Sequence, residues 1–387
     1  MKQQLQSAWA SHGSVPMSKA CAPTIAAGKD TTTQQLTRVW QELLGVESVG
    51  VHQNYFDLGG DSSLAVQLFA RIEKLFRVKL PLATLFEAPT IEELARVVQQ
   101  EAGATEASGW SPLVPIQANG TRPVFFCIHG AGGNVLIYRE LAKYMGSEQP
   151  FYGVQAQGLD GSRAPLKTIE EMAALYVREI RRVQPHGPYY IGGYCMGGTL
   201  AYEVSRQLQV AGEDIALLAL FDTMDWSKMR LPFFWAKAYH ELERLFFHAA
   251  NFFRLDSDGR GKFFEQKVEA LRNRLPVWRG MLLSRFAKRK KPADAQSMVL
   301  GQIWQTNDLA CVNYRPQPFA GVVTDFRPMK QYKMFQRPDV KFGRLAQGGE
   351  QVVVLPVYPA GMLVEPFVKH LAEALKKSID QAAAAKI

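Results

Sequence analysis

Residues 192–198 read Gly-Gly-Tyr-Cys-Met-Gly-Gly. Within them, Gly193-Tyr194-Cys195-Met196-Gly197 has the spacing of a nucleophile elbow, G-x-nucleophile-x-G, with cysteine in the central place. The apolar run "PYYIGG" comes before it and the amphipathic stretch "GTLAYEVSRQL" after it. Strand, sharp turn and helix in that order is the context the motif needs, because small residues let the turn tighten and lift the nucleophile clear of the sheet. The spacing therefore predicts an α/β domain built around Cys195.

The sequence on either side agrees. "PVFFCIHG", "PFYGVQAQG", "PYYIGGYC", "IALLALFD", "GVVTDF" and "QVVVLPV" are short apolar runs of strand length. Amphipathic stretches such as "TIEEMAALYVREIRRVQ" separate several of them, which predicts a mostly parallel sheet covered by helices. "CIHGAGGN", residues 127–134, follows the first strong strand. Its glycines leave backbone N–H groups to face an oxyanion, so the amide of Met196 and one near Ala131 are the expected donors.

Before this domain the pattern is helical. "TTTQQLTRVWQELLG" puts Leu36, Val39, Trp40, Leu43 and Leu44 on one face and stops at Gly45. "SSLAVQLFARIEKLF" repeats the pattern with Leu64, Leu68, Ile72 and Leu75, and "TIEELARVVQQ" opens with a Thr90 to Glu93 capping box. Three short amphipathic helices predict a small bundle. The expected organisation is a flexible leader at 1–30, the bundle at 31–102, a linker at 103–112 and the α/β domain at 113–387.

Composition narrows the function classes. Of 387 residues, 47% are hydrophobic and 21% charged, as in ordinary globular proteins. The four cysteines are widely spaced without C-x-x-C, so neither a disulfide framework nor a zinc site is expected, and a reducing cytoplasm is the default setting. The first twenty residues lack the apolar core of a signal peptide, and no window approaches a transmembrane span. The net charge of +9 is matched by residues 226–296 alone, with 16 Lys/Arg against 7 Asp/Glu. One cationic segment thus carries the imbalance, and the charge does not argue for nucleic-acid binding.

Residues 58–62, Leu-Gly-Gly-Asp-Ser, lie where a loop meets a helix, so Ser62 should sit at a helix N-terminus, a favourable place for an attached phosphate. The same serine or Asp61 can also serve as a plain helix cap. With "VGVHQNYF" before it and "LFEAPTIEELA" after it, the segment 33–100 resembles the carrier proteins of nonribosomal peptide and polyketide synthases. That resemblance implies a covalent 4′-phosphopantetheine arm on Ser62, added by a phosphopantetheinyl transferase, and upstream synthase modules as partners. Ser63 stands where the family usually has Leu or Ile.

Residues 113–387 resemble the type I thioesterase domains that end such synthases, an α/β-hydrolase branch. The stretches "TRPVFFCIHGAGGN", "FYGVQAQGLDG", "VQPHGPYYIGGY" and "ALLALFDT" carry the likeness. It implies Cys195 as nucleophile and Asp222, 27 residues on, as the acid of a triad. The family's histidine precedes the last helix, in a context matched here by "LPVYPAGMLVEPFVKHLAEAL". The aligned position is Pro359 or Ala360, and neither is histidine. Of the seven histidines, His129 is nearest by topology, as a candidate base or as a residue that shapes its loop. No Cys-His-Asp triad is expected. Cysteine suits such a site, because a thiol with pKa near 8.5 is already a few per cent thiolate and a helix N-terminus lowers that pKa further.

In the family the basic insert corresponds to a helical lid, here about 226–310. Its aromatic face either covers a lipophilic chain or packs as core; a membrane-surface helix is a third reading. The expected function is to carry an acyl or peptidyl chain on the arm and transfer it to Cys195 for release by hydrolysis, cyclisation or transfer. The alternative is a catalytically silent module that docks and shields the carrier-bound chain.

Overall fold

In a computed structural model the chain is described for residues 24–60, 62–78, 80–103, 111–228, 234–255, 260–261, 295–333, 336–359 and 361–385. The first part of the expected leader, most of the linker and the basic stretch "VWRGMLLSRFAKRKK" lie outside the described residues.

The helical part contains α1 (Thr24–Leu44), α2 (Ser62–Phe76), a single turn α3 (Thr84–Glu87) and α4 (Ile91–Gly103). Helix α1 starts inside the stretch expected to be leader. Ala26 and Ala27 favour helix, and the nearest preceding proline in the sequence is Pro23, so helix can extend back to Thr24. Leu36, Val39, Trp40, Leu64, Leu68 and Ile72 are buried together, as their spacing predicts. Leu75 is not: it is 49% exposed. The packed stripe of α2 runs through Ala65 and Phe69 instead, small or flat enough to sit against the neighbouring helices. The capping box forms, with the Glu93 N–H donating to Thr90 Oγ1 at 3.3 Å and the Thr90 N–H to Glu93 Oε2 at 3.2 Å.

The α/β part is a seven-stranded sheet in the order β1-β3-β2-β4-β5-β6-β7. The strands are β1 (Leu113–Gln117), β2 (Phe125–Ile128), β3 (Phe151–Val154), β4 (Tyr189–Tyr194), β5 (Ile215–Phe221), β6 (Val323–Pro328) and β7 (Glu350–Leu355). All pairs are parallel except β1 with β3. The six apolar runs are all strands. β1 was invisible to that pattern because "LVPIQ" is short, holds a proline and lies at the sheet edge, where a missing N–H is tolerated.

Alternation along the strands feeds two cores. Phe125, Cys127 and Phe221 face one layer, with α5 (Arg139–Met145) and the last helix (Val368–Ala384). Phe126, Ile128 and Leu220 face the other, with α6 (Ile169–Val183) and α7 (Met196–Val210). Burial on both faces explains why the strands read as continuous apolar runs. Between β5 and β6 the chain forms α8 (Phe234–Phe253) and, after undescribed residues, α9 (Ala295–Asn313). No described helix is long and apolar enough to cross a membrane.

Strand β4 delivers its carboxyl end to the elbow. Cys195 has φ 55° and ψ −117°, a conformation costing on the order of 1–3 kcal/mol. Close packing maintains it: a Cβ on Gly193 would lie 2.3 Å from the Gly197 carbonyl carbon, and one on Gly197 would lie 2.2 Å from the Ile128 oxygen. Gly193→Ala should therefore destabilise this domain by about 3 kcal/mol or more in denaturant melts. Gly212→Ala, at φ +83° in open space, should cost only about 1 kcal/mol. Equal costs would show that the elbow is not under this constraint.

Candidate active site

The Cys195 N–H donates to the Phe221 carbonyl at 3.0 Å, tying the turn to the neighbouring strand. Tyr138 supports it from below: its hydroxyl donates to the Ile128 carbonyl at 2.7 Å and accepts the Tyr194 N–H at 3.0 Å. The thiol lies at the N-terminus of α7, and the Met196 N–H acts on it favourably. Burial outweighs that help, and the Asp222 and Asp308 carboxylates add to it, so the thiol pKa is pushed up to about 12. This corrects the expectation of a partly ionised thiolate. Desolvating the anion costs more than one helix end returns, although the residue is half-buried rather than enclosed.

Asp222 follows β5 and is 8% exposed, with φ 43° and its N–H bonded to the Phe326 carbonyl. Burial raises its pKa. Its Oδ1 accepts the Gln331 amide Nε2 at 3.0 Å, and Gln331 Oε1 accepts Lys341 Nζ at 2.8 Å. Lys341, Gln331 and Asp222 thus form one hydrogen-bonded chain that occupies an oxygen of the Asp222 carboxylate. Lys341 is itself nearly buried, and desolvation lowers its pKa.

The loop aligned with the family's histidine is filled differently. The Tyr358 N–H donates to Asn251 Oδ1 on α8 at 3.1 Å, and its ring stacks on Phe247 of the same helix at 5.5 Å. Pro359 is buried, and Ala360 lies outside the described residues. A Cβ on Gly361 would lie 3.0 Å from Asn251 Nδ2, so lid and loop are fitted closely.

His129 does not supply the missing base. It is fully buried, and a carbonyl can only accept, so Nδ1–H donates to the Gly130 oxygen at 2.7 Å. Nε2 then accepts the Tyr176 hydroxyl at 2.7 Å. Both ring nitrogens are committed, and burial lowers the imidazole pKa to about 4. His52 and His186 pair with Glu92 and Glu213 at the surface. His370 lies in the last helix and His248 on α8, one turn before Asn251. His12 lies outside the described residues, as does the His240 side chain.

Ala131 is where the oxyanion loop was placed, and its carbonyl accepts Asn307 Nδ2 of α9 at 2.9 Å. Helix α9 therefore fastens onto this loop and carries Asp308 and Cys311 toward Cys195. Gln331, Lys341, Asn251, Asn307 and Tyr138 were not found from the sequence. None belongs to a local motif; each reaches the site across a loop or from a distant element.

Ser62 is the first residue of α2. Gly59 has φ +89°, and a Cβ on Gly60 would lie 2.4 Å from the Tyr55 ring. The glycine pair lets the chain lie flat on Tyr55 just before the helix that starts at Ser62.

Comparison with known proteins agrees with this layout. Residues 34–98 match the family model "Phosphopantetheine attachment site" and residues 123–230 the model "Thioesterase domain". Malpibaldin synthetase of Mortierella alpina is 44% identical over 193 residues, half of this chain and 4% of that protein. A dimodular nonribosomal peptide synthase of Bacillus subtilis (strain 168) is 41% identical over 208 residues, 52% of this chain and 9% of that protein. The chain therefore spans under a tenth of the length of these relatives. A solved four-domain nonribosomal peptide synthetase, bound to AMP and glycine, matches 96% of this chain and 27% of its own, with TM-score 0.56 and 23% identity, and shares the fold. This chain joins a phosphopantetheine-attachment domain to a thioesterase domain, both of the kind found in nonribosomal peptide synthetases. The attachment domain implies covalent 4′-phosphopantetheine.

Alkylation of Cys195, followed by peptide mapping, should quicken about tenfold per pH unit from 7 to 10, because the thiolate reacts and the thiol titrates near 12. A plateau by pH 9 would show a low-pKa nucleophile.

Proposed function

We propose that this chain receives an acyl or peptidyl chain from its own carrier segment onto Cys195 and passes it to an acceptor better than water. Ser62 is the attachment residue, Cys195 the nucleophile, and the amides of Met196 and Ala131 the oxyanion donors. The proposed division is a carrier at 31–102 and a thioesterase domain at 113–387 with the lid at about 226–310. The observation that carries the reading is a strained elbow cysteine whose neighbouring acid, Asp222, is already bonded to Gln331.

The arm, when attached, supplies a terminal thiol that holds the chain as a thioester. Cys195 Sγ adds to the thioester carbon, and the carbonyl oxygen becomes an oxyanion facing the two amides. Collapse breaks the bond to the arm's sulfur, which leaves as thiolate and takes up the proton that Cys195 gives up. One thiol and one thioester enter and one of each leaves, so the exchange is nearly balanced and consumes no base. Hydrolysis differs, because water must lose a proton while attacking, and the imidazole of His129 is already engaged at both nitrogens. General-base assistance is worth roughly 10²–10⁴-fold.

The same geometry favours a second reading, in which the domain docks and shields the carried chain while another enzyme releases it. The high pKa of Cys195 and the full engagement of His129 support it. Upstream synthase modules and a phosphopantetheinyl transferase are the partners in either reading, in a cytoplasmic setting.

Loading Ser62 with an acyl-pantetheine and following intact mass and peptide maps should reveal an acyl group on Cys195. Ser62→Ala should abolish loading, and Cys195→Ser should remove the adduct, since an unassisted hydroxyl is a far weaker nucleophile. A loaded chain that never acylates Cys195 would favour the shielding module.

Restoring the base requires freeing the acid. Pro359→His combined with Gln331→Ala should raise hydrolysis of a soluble acyl thioester at least tenfold, while Pro359→His alone should do less because Gln331 holds Asp222. Rates unchanged in both variants would show that the missing imidazole is not what limits hydrolysis.

A further inference from the structure

The turn that follows the oxyanion loop faces two ways. Leu136 and Arg139 belong to the thioesterase domain, yet Leu136 is only 6% exposed and packs with the buried residues of the carrier bundle. The Arg139 guanidinium carbon lies 4.3 Å from the centre of the Phe56 ring, and its Nη2 is 3.4 Å from Asp57 Oδ1. Phe56 stacks on Phe86, which also packs against the thioesterase core beside α5. Phe56 and Asp57 stand within six residues of Ser62, on the loop that leads into α2. Helix α2 in turn touches α9, the lid helix whose Asn307 holds the Ala131 carbonyl. Between Leu136 and Arg139 sits Tyr138, whose hydroxyl takes the N–H of Tyr194 next to Cys195.

We infer that Arg139 is a positioning residue for delivery in cis: it latches the carrier by Phe56 and Asp57 so that chains presented from Ser62 reach Cys195, while soluble substrates do not need it. A guanidinium suits both contacts, because its flat face covers the ring and its edge meets the carboxylate. The Asp57 side is open to solvent, so the ion pair alone is weak and the ring contact carries much of the latch. Arg139 also pairs with Glu140 of its own helix, which holds its stem in place when the carrier leaves. The inference rests on the acyl-transfer reading for its kinetic test and on structure alone for its second test.

The experiment compares wild type, Arg139→Glu, and Arg139→Glu with Asp57→Arg. Acylation of Cys195 is timed by mass spectrometry from two sources: an acyl group loaded at Ser62, and a soluble acyl-pantetheine thioester. Arg139→Glu should slow the first about tenfold and leave the second within about twofold; the double variant restores the ion pair but not the contact with the Phe56 ring, so it should recover only a minor part of the loss. Small-angle scattering of the unloaded chains should give a larger radius of gyration for Arg139→Glu than for wild type, with the double variant closer to Arg139→Glu than to wild type. Equal slowing from both sources would make Arg139 part of the thioesterase fold or its chemistry and overturn the proposal. So would unchanged delivery from Ser62. If no source acylates wild type, the transfer reading fails by itself, and scattering decides the latch: an unchanged radius in Arg139→Glu overturns it.

Discussion

Cys195 holds a backbone conformation that an L-residue rarely adopts, and the rest of the site is arranged around that constraint. Gly193 and Gly197 have no room for a Cβ, Tyr138 braces the adjacent amide, and the Cys195 N–H is tied to β5. The turn cannot relax without disturbing the sheet. Strain of this size is held only where the surroundings over-determine the geometry, and here Cys195 lies at the carboxyl end of β4, where open α/β sheets place their ligands.

The elbow stands beside an aspartate whose carboxylate is already engaged. Asp222 keeps the position an acid would have, but its carboxylate is bonded to an amide that can neither accept nor release a proton near neutral pH. Lys341 completes that chain from a nearly buried site. The lid contributes by filling the loop at Tyr358 through Asn251 and Phe247. In the proposed reading, exchange of one thioester for another returns the proton that Cys195 gives up, whereas hydrolysis needs a separate acceptor for the proton of water.

The α/β core and the carrier bundle were both legible in the sequence, because burial on two faces or one stripe writes itself into local periodicity. Six strands, the Thr90 capping box and the place of Ser62 at a helix start came from residues within a few positions of each other. The edge strand β1 and the exposure of Leu75 did not, because an edge position or a neighbour's shape leaves no periodic trace.

The chain alone determined which residue types are available: a cysteine at the elbow, an aspartate after the next strand, and no histidine before the last helix. Tertiary structure decided what those residues can do. The ionisation of Cys195 depends on desolvation in the fold and on where the Asp222 and Asp308 carboxylates fall, and Asp308 stands more than a hundred residues further along the chain. His129 looked available by topology, but folding brings Tyr176 to its second nitrogen. Asp222 met Gln331 rather than an imidazole because the loop after β6 closes over it. Hydrogen-bond commitments and desolvation are properties of three-dimensional neighbours, so no reading of spacing along the chain contains them.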